Sequence, residues 1–301
     1  MSAAAEPVGL VARILPFSAV DGPGNRAVVF LQGCDFDCSY CHNPETRAAC
    51  SGCGACLAAC PAGALADSGA GLPPRWDQAR CRDCGACAAA CALGSSPRAR
   101  RLSVGELLGE IERYRPFLRG ITVSGGECTL QPDFLAALLE ASRARGLPGL
   151  VDTNGGSPLA ARPRILAAAE GFMLDVKAWD PAEHRALTGA DNAPVLENLR
   201  FLAGRGALFE VRTVLALRGG GPGGGETGGA QEGAFDLEGT VRETARVLAR
   251  AGSRARYRLI RYRPYGVRAA RAATLAEPDP ALAERLAELA RREGAAEVFV
   301  S

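Results

Sequence analysis

The sequence predicts an α/β fold: a partial (β/α)6 barrel of the TIM type with a small cysteine-rich domain inserted near its start. Three observations predict it. Apolar runs of strand length alternate with amphipathic helical stretches, the pattern of βα units on a parallel sheet. About six such units follow an N-terminal strand region, too few to close an eight-unit barrel, so an open barrel with a lateral mouth is expected. Eleven of the 12 cysteines fall between residues 34 and 91 in three tight runs, and the last two runs share a short stretch without barrel periodicity.

Each element follows in order. Residues 1–44 start the barrel with a short strand, the Asp21-Gly-Pro-Gly24 turn and an apolar run, Arg26-Ala-Val-Val-Phe-Leu-Gln-Gly33, that reads as a buried strand. Residues 45–100 form the insert, closed by a linker over 94–101. The barrel resumes over 101–301, where Ser103 reads as a helix N-cap with Glu106 three residues on. Strands are expected near 120–124, 148–152, 171–176, 207–215, 255–262 and 295–300, with helices such as 132–145, 236–251 and 279–293 between them. Leu282, Leu286 and Leu289 mark core packing of the last helix. Residues 218–233 are Gly-rich and cannot bury enough to offset their ordering entropy, so a mobile loop without a catalytic role is expected there.

Composition narrows the function. Hydrophobic residues make up 48% of the 301 positions but aromatics only 6%, so the core is aliphatic. A formal net charge of +2 provides neither a nucleic-acid arm nor a polybasic membrane anchor. No apolar run approaches the roughly 18 residues of a membrane span, and residues 1–7 lack the features of a signal peptide. A cytoplasmic location is therefore expected, and cysteines in that compartment are read as ligands before disulfides.

Cys50, Cys53, Cys56 and Cys60, followed by Pro61, have the spacing C-x2-C-x2-C-x3-C-P. Cys81, Cys84, Cys87 and Cys91 repeat it 31 residues on, with Ala92 in place of the proline. This is the spacing of two-cluster bacterial ferredoxins, in which the fourth cysteine of each run ligates the other cluster. The expected sets are Cys50, Cys53, Cys56 and Cys91 for one [4Fe–4S] cubane and Cys60, Cys81, Cys84 and Cys87 for the other. Gly54 and Gly85 let the backbone fold close to sulfur. Zinc is the alternative, though its sites usually use paired C-x2-C units.

Cys34, Cys38 and Cys41 have the spacing C-x3-C-x2-C, with Tyr40 just before the last cysteine, at the end of the first buried strand. Three thiolates leave one iron of a cubane open to a substrate or cofactor, and the strand end is where (β/α) barrels hold their chemistry. His42 is adjacent, but three cysteines already fill the protein ligands. This run resembles that of the radical S-adenosylmethionine (SAM) superfamily. Gly125-Gly126-Glu127, after a short apolar strand, matches the motif whose backbone and carboxylate hold the amino group of SAM in that superfamily, through a charge-assisted hydrogen bond.

Further segments resemble the activating enzymes of glycyl radical enzymes: Val20-Asp-Gly-Pro-Gly-Asn-Arg26, Tyr40-Cys-His-Asn-Pro44, Val151-Asp-Thr-Asn-Gly155 and Met173-Leu-Asp-Val-Lys177. The placing of the insert directly after Pro44-Glu-Thr46 resembles the YjjW-type activases. The resemblance implies three [4Fe–4S] clusters, one catalytic and two auxiliary, and reductive cleavage of SAM. The resulting 5′-deoxyadenosyl radical would take a hydrogen from one backbone glycine of a partner, here a YjjI-type glycyl radical enzyme. It also implies flavodoxin or ferredoxin as electron donor and a monomeric activase. It assigns SAM contacts to Tyr40, Cys41, His42, Gly125, Gly126, Glu127, Asp152, Asp175, Val176, Lys177 and Arg212, and a monovalent cation to the surroundings of Asp152, Thr153, Met173 and Asp175. The bland alternatives are loop amides for the two aspartates and a buried ion pair for Arg212. Lys177 is the sole lysine against 34 arginines, as expected where a compact ammonium is required. Arg263 stands where relatives carry a His that touches SAM, and it cannot act as a neutral base. Cys128, beside Glu127, reads as a small buried residue. Two other classes remain open: a radical SAM enzyme acting on a small molecule or peptide, and a pure electron-transfer protein.

Overall fold

The structure, a computed structural model, describes residues 6–219 and 235–301. The chain forms two compact units. One comprises Met1–Asp35 with Asn43–Leu150, and the other Phe36–His42 with Val151–Ser301. No helix among the described residues is long and apolar enough to cross a membrane.

The first unit carries β1 (Val8–Ser18), β2 (Arg26–Leu31), β3 (Leu65–Ala66), β4 (Arg75–Trp76), β5 (Arg100–Ser103) and β6 (Gly120–Gly125). Four of them lie side by side in the order β6–β2–β1–β5. β2 is buried at all six positions, as its continuous apolar run requires, and pairs parallel to β6. The sheet is not purely parallel, however. β1 is a long strand of 11 residues, and it pairs antiparallel to both β2 and β5. Arg100 and Arg101, expected in the linker, form half of β5. An edge strand needs only one partner, so its charged side chains alternate into solvent and leave little apolar signal. Arg26 is fully buried and donates to the carbonyls of Ile121 at 2.7 Å and Pro148 at 2.8 Å, and to Thr122 Oγ1 at 3.1 Å.

Helix Val104–Glu112 starts with the expected capping box. The Ser103 hydroxyl accepts from the Glu106 amide, and the Glu106 carboxylate accepts from the Ser103 amide. The insert falls inside this first unit. It is mostly irregular, with β3 and β4 as a two-stranded ladder and a single helical turn at Ala86–Ala89. Gly54 and Gly85 are left-handed, with φ of 75° and 74°, as two tight turns demand.

The second unit takes in most of β7 (Gly149–Thr153), then β8 (Gly171–Asp175), β9 (Leu208–Leu215), β10 (Leu217–Arg218), β11 (Arg256–Arg261), β12 (Leu275–Ala276) and β13 (Glu297–Val300). β8, β9, β11 and β13 pair in parallel, with helices Ala193–Gly204, Leu237–Arg250 and Pro280–Arg292 between them in the chain. Ala283, Leu286, Ala287 and Leu289 supply the buried face of the last helix. Arg218 and Gly219, expected in the Gly-rich loop over 218–233, are held by backbone pairing instead. Arg218 pairs with Leu275 in the β10–β12 ladder, and the Gly219 amide donates to Thr274. Residues 220–233 of that prediction lie outside the described residues.

Candidate functional site

In the second unit the Phe36–His42 segment is held by backbone and side chain together. The Asp37 amide donates to Thr188 O at 2.7 Å and the Ser39 amide to Leu187 O at 2.8 Å. The Asp37 carboxylate accepts from Arg268 at 2.5 Å and Arg271 at 3.0 Å, and Arg268 also donates to Cys38 O. Phe36 meets the buried ring of His184 edge-on at 5.5 Å. Tyr40 packs into an apolar cluster with Ala178, Leu187, Ala216 and Tyr262. Such anchoring fixes a loop that carries Cys38 and Cys41.

Four charges meet near the C-terminal ends of β7 and β8 and the middle of β9. Asp175 accepts from Lys177 Nζ at 2.7 Å through one oxygen and from Arg212 Nε at 2.8 Å through the other. Arg212 also pairs with Asp152. Two carboxylates thus meet two cations, all largely buried. Burial alone would raise the Asp175 pKa, but Arg212 and Lys177 outweigh it and hold it down to about 2. The Lys177 ammonium is 5.6 Å from the centre of the Tyr40 ring, an approach at which the ring face attracts a cation. Burial pushes the Cys38 thiol up to about 11, and Lys177 is the one neighbour that pulls it back toward thiolate.

In the first unit β2 leads into Gly33 and Cys34. The Gly33 amide donates to Thr46 O at 2.8 Å and the Cys34 amide to Arg47 O at 2.9 Å. The turn after β6 sits directly against this segment: the Gly126 amide donates to Leu31 O and the Glu127 amide to Gly33 O at 2.7 Å. A Cβ at Gly125 would lie 2.2 Å from the Leu31 backbone, and one at Gly126 would lie 2.2 Å from Gly33 O. Backbone packing therefore requires these glycines, where the sequence pattern suggested approach of a ligand. The Glu127 carboxylate is buried and accepts from the amide and hydroxyl of Thr129 at 3.0 and 2.6 Å. Cys128 is fully buried, as a packing residue should be.

None of the 12 cysteines, all of them among the described residues, is joined in a disulfide. Cys60, Cys81, Cys84 and Cys87 line one pocket together with Trp76, Asp83 and Arg98. These four are the crossed set expected from the spacing. Cys50 and Cys53 stand within electrostatic reach of Cys56, as does Cys87 of the neighbouring set. The backbone amide of Asp83, helped by Trp76 and Arg98, holds the Cys81 thiol below its ordinary value. No three His, Cys, Asp or Glu side chains among the described residues are gathered as the shell of a single ion. A cubane distributes its thiolates over separate irons, so it asks for a wider arrangement. The all-sulfur donor sets suit iron–sulfur centres, and the buried indole N–H of Trp76 is turned toward the Cys81 sulfur in that pocket.

The family model of the radical SAM superfamily matches residues 28–219. The chain belongs to the radical SAM superfamily. It is 37% identical over 214 residues to the isethionate sulfite-lyase activating enzyme of Desulfovibrio desulfuricans, covering 65% of this chain and 68% of that one. It is 31% identical over 216 residues to the pyruvate formate-lyase-activating enzyme of Streptococcus mutans, covering 69% and 65%. The chain thus spans about two thirds of the length of these relatives. In fold it resembles Streptococcus suis SuiB, solved bound to S-adenosylmethionine, with a TM-score of 0.52 at 14% identity, over 90% of this chain and 48% of that one.

The second unit of this radical SAM chain brings together Cys38, Tyr40, Asp152, Asp175, Lys177 and Arg212. Val176 is buried behind them, its amide bonded to Arg212 O at 2.8 Å. Arg263 stands apart from that charge network. It is exposed, and its carbonyl meets His42 Nε2 at 3.1 Å. The sequence reading missed Asp37 with Arg268 and Arg271, more than 230 residues apart in the chain, and it missed Trp76 and Arg98. The one available signal for the latter was the repeat itself: Gly52 and Asp83 occupy the same place in the two runs, and Asp83 keeps the left-handed backbone of the glycine, with φ of 51°.

Proposed function

We propose that this chain is a radical SAM activating enzyme that installs a glycyl radical in a partner enzyme. The observation that carries the reading is the Cys38 loop, pinned beside the buried Lys177–Asp175–Arg212 network in a chain whose relatives are activating enzymes. When bound, the cluster at Cys34, Cys38 and Cys41 supplies the electron and SAM the hydrogen-abstracting group. The chain's own residues orient these partners and exclude water. Lys177 offsets the charge of the thiolate at Cys38. Asp175 fixes the ammonium, and Arg212 fixes Asp175. Gly125 and Gly126 seat their turn against Leu31 and Gly33, which sets the entry to Cys34. Glu127, by the resemblance, receives the amino group of SAM, while Tyr40, Cys41, His42, Asp152, Val176 and Arg263 complete its surroundings. A monovalent cation is left out of this reading, because Asp152 and Asp175 are already matched by Lys177 and Arg212.

The insert is read as a two-cubane module of the YjjW type, with Cys50, Cys53, Cys56 and Cys91 as one set and Cys60, Cys81, Cys84 and Cys87 as the other. The shared pocket of the second set supports this. Flavodoxin or ferredoxin is the donor that the reading expects, a YjjI-type glycyl radical enzyme the partner, and a monomer the working form. The test is Cys38→Ala under anaerobic conditions with SAM and dithionite. Loss of 5′-deoxyadenosine formation is expected, and wild-type yields from that variant would sink the assignment.

A further inference from the structure

The two cysteine runs of the insert are copies in spacing but not in surroundings. Residues 50–60 and 81–91 place their cysteines identically, and both turns use left-handed residues, Gly52 and Gly54 in the first and Asp83 and Gly85 in the second. Asp83 breaks the symmetry. An aspartate in a left-handed turn is tolerated less well than glycine, and here it is paired with Arg98. The pair has a direction. Both line the pocket of Cys60, Cys81, Cys84 and Cys87, but the Asp83 side chain is 80% exposed and that of Arg98 only 22%. Water screens the anion better than the cation, so the pocket sees positive charge. Trp76 lines the same pocket, and its buried indole N–H is turned toward the Cys81 sulfur, as is the Arg98 guanidinium. Buried donors are almost always satisfied, and a cluster sulfur in this pocket is the acceptor available. In the first run Gly52 stands in place of Asp83, packed against the Gly71 backbone, and the side-chain donor at Cys53 is the neutral Ser51 hydroxyl.

We propose that the cubane held by Cys60, Cys81, Cys84 and Cys87 is the more easily reduced of the two insert clusters, and that Trp76 and Arg98 are the positioning residues that make it so. A reduced cubane carries one more negative charge than an oxidised one. Hydrogen-bond donors and net positive charge facing its sulfurs therefore favour reduction. The inference rests on the two-cubane reading of the insert and adds to it an order of electron occupancy.

The experiment is an EPR-monitored redox titration of the reconstituted full-length chain, with iron counted in the same samples. In wild type the two insert clusters titrate at separate potentials. Trp76→Phe removes the N–H and keeps the ring, and Arg98→Gln removes the charge. Each moves the higher of the two potentials down and leaves the other in place. In the double variant the ratio of reduced to oxidised cluster at the wild-type midpoint falls about tenfold, equal to about 59 mV for one electron. Arg98→Lys restores part of the shift. An iron count of about twelve with unmoved potentials, or with both potentials moving together, overturns this inference alone. A wild-type count of about four irons overturns the two-cubane reading and this inference with it.

Discussion

Replacing Lys177 by Met removes one of two cations from a buried four-charge network. The side chains of Lys177, Asp175 and Arg212 are 11%, 23% and 14% exposed, so solvent screening discounts their interaction little. Removing one partner of a buried pair costs about 3–5 kcal/mol. Asp175 keeps its 2.8 Å bond to Arg212, which argues for the lower end, about 3 kcal/mol. For a chain of this size each kcal/mol moves the melting temperature by about 2–4 °C, so Lys177→Met should melt about 6–12 °C below wild type. Lys177→Arg keeps the charge but forces a larger head into a filled site beside Tyr40, and overpacking of this kind costs about 1–3 kcal/mol. The assay is thermal unfolding of the anaerobic apo-protein, followed by circular dichroism. The double variant Lys177→Met with Asp175→Asn should lose less than the sum of the singles, since the orphaned charge is gone. A melting temperature for Lys177→Met within about 1 °C of wild type would show that the network does not hold these strands.

Three further outcomes are expected. Gly126→Ala puts a methyl 2.2 Å from Gly33 O; the backbone around Cys34 must shift, and iron at the three-cysteine site should fall while the insert clusters still assemble, as Mössbauer quantitation would show. Cys60→Ser should lower the iron count from about twelve to about eight per chain, four for each cubane lost; an unchanged count would detach Cys60 from its set. His184 is buried, and burial, helped by the Lys177 charge, outweighs its backbone hydrogen bond to Ala178 and holds its pKa down to about 4. An imidazole in the unfolded chain titrates near 6.5. Unfolding therefore takes up a proton between these values, and the stabilisation is complete above about pH 6.5 and is lost as pH falls toward 4. His184→Leu should flatten that decline in denaturant titrations run across the window.

β2 and β8 were legible because buried parallel strands carry continuous apolar runs, and β6 and β9 because their apolar residues recur at strand spacing around Thr122 in one and Glu210, Arg212 and Thr213 in the other. β5 was not, because an edge strand reading Arg-Arg-Leu-Ser shows no such run. The antiparallel direction of β1 leaves no trace in a period-2 pattern, which is the same for both ladders. At the site, local motifs were readable: the cysteine spacings, the glycine turn after β6, and the Ser103 cap. The pairing of Asp175 with both Lys177 and Arg212 was only half visible, since nothing in sequence spacing joins residues 175 and 212. Asp37 and its two arginines were invisible for the same reason. Gly125 and Gly126 were identified as special on a ligand argument, whereas the neighbouring strand supplies the steric reason.

The central claim is that this chain places a radical on a glycine of another protein. The direct measurement is EPR of a candidate partner glycyl radical enzyme from the same organism, mixed anaerobically with the reconstituted chain, SAM and reductant. The account predicts a glycyl radical signal on the partner that requires SAM and disappears with Cys38→Ala. Formation of 5′-deoxyadenosine by the wild-type chain with no radical on the partner would contradict it.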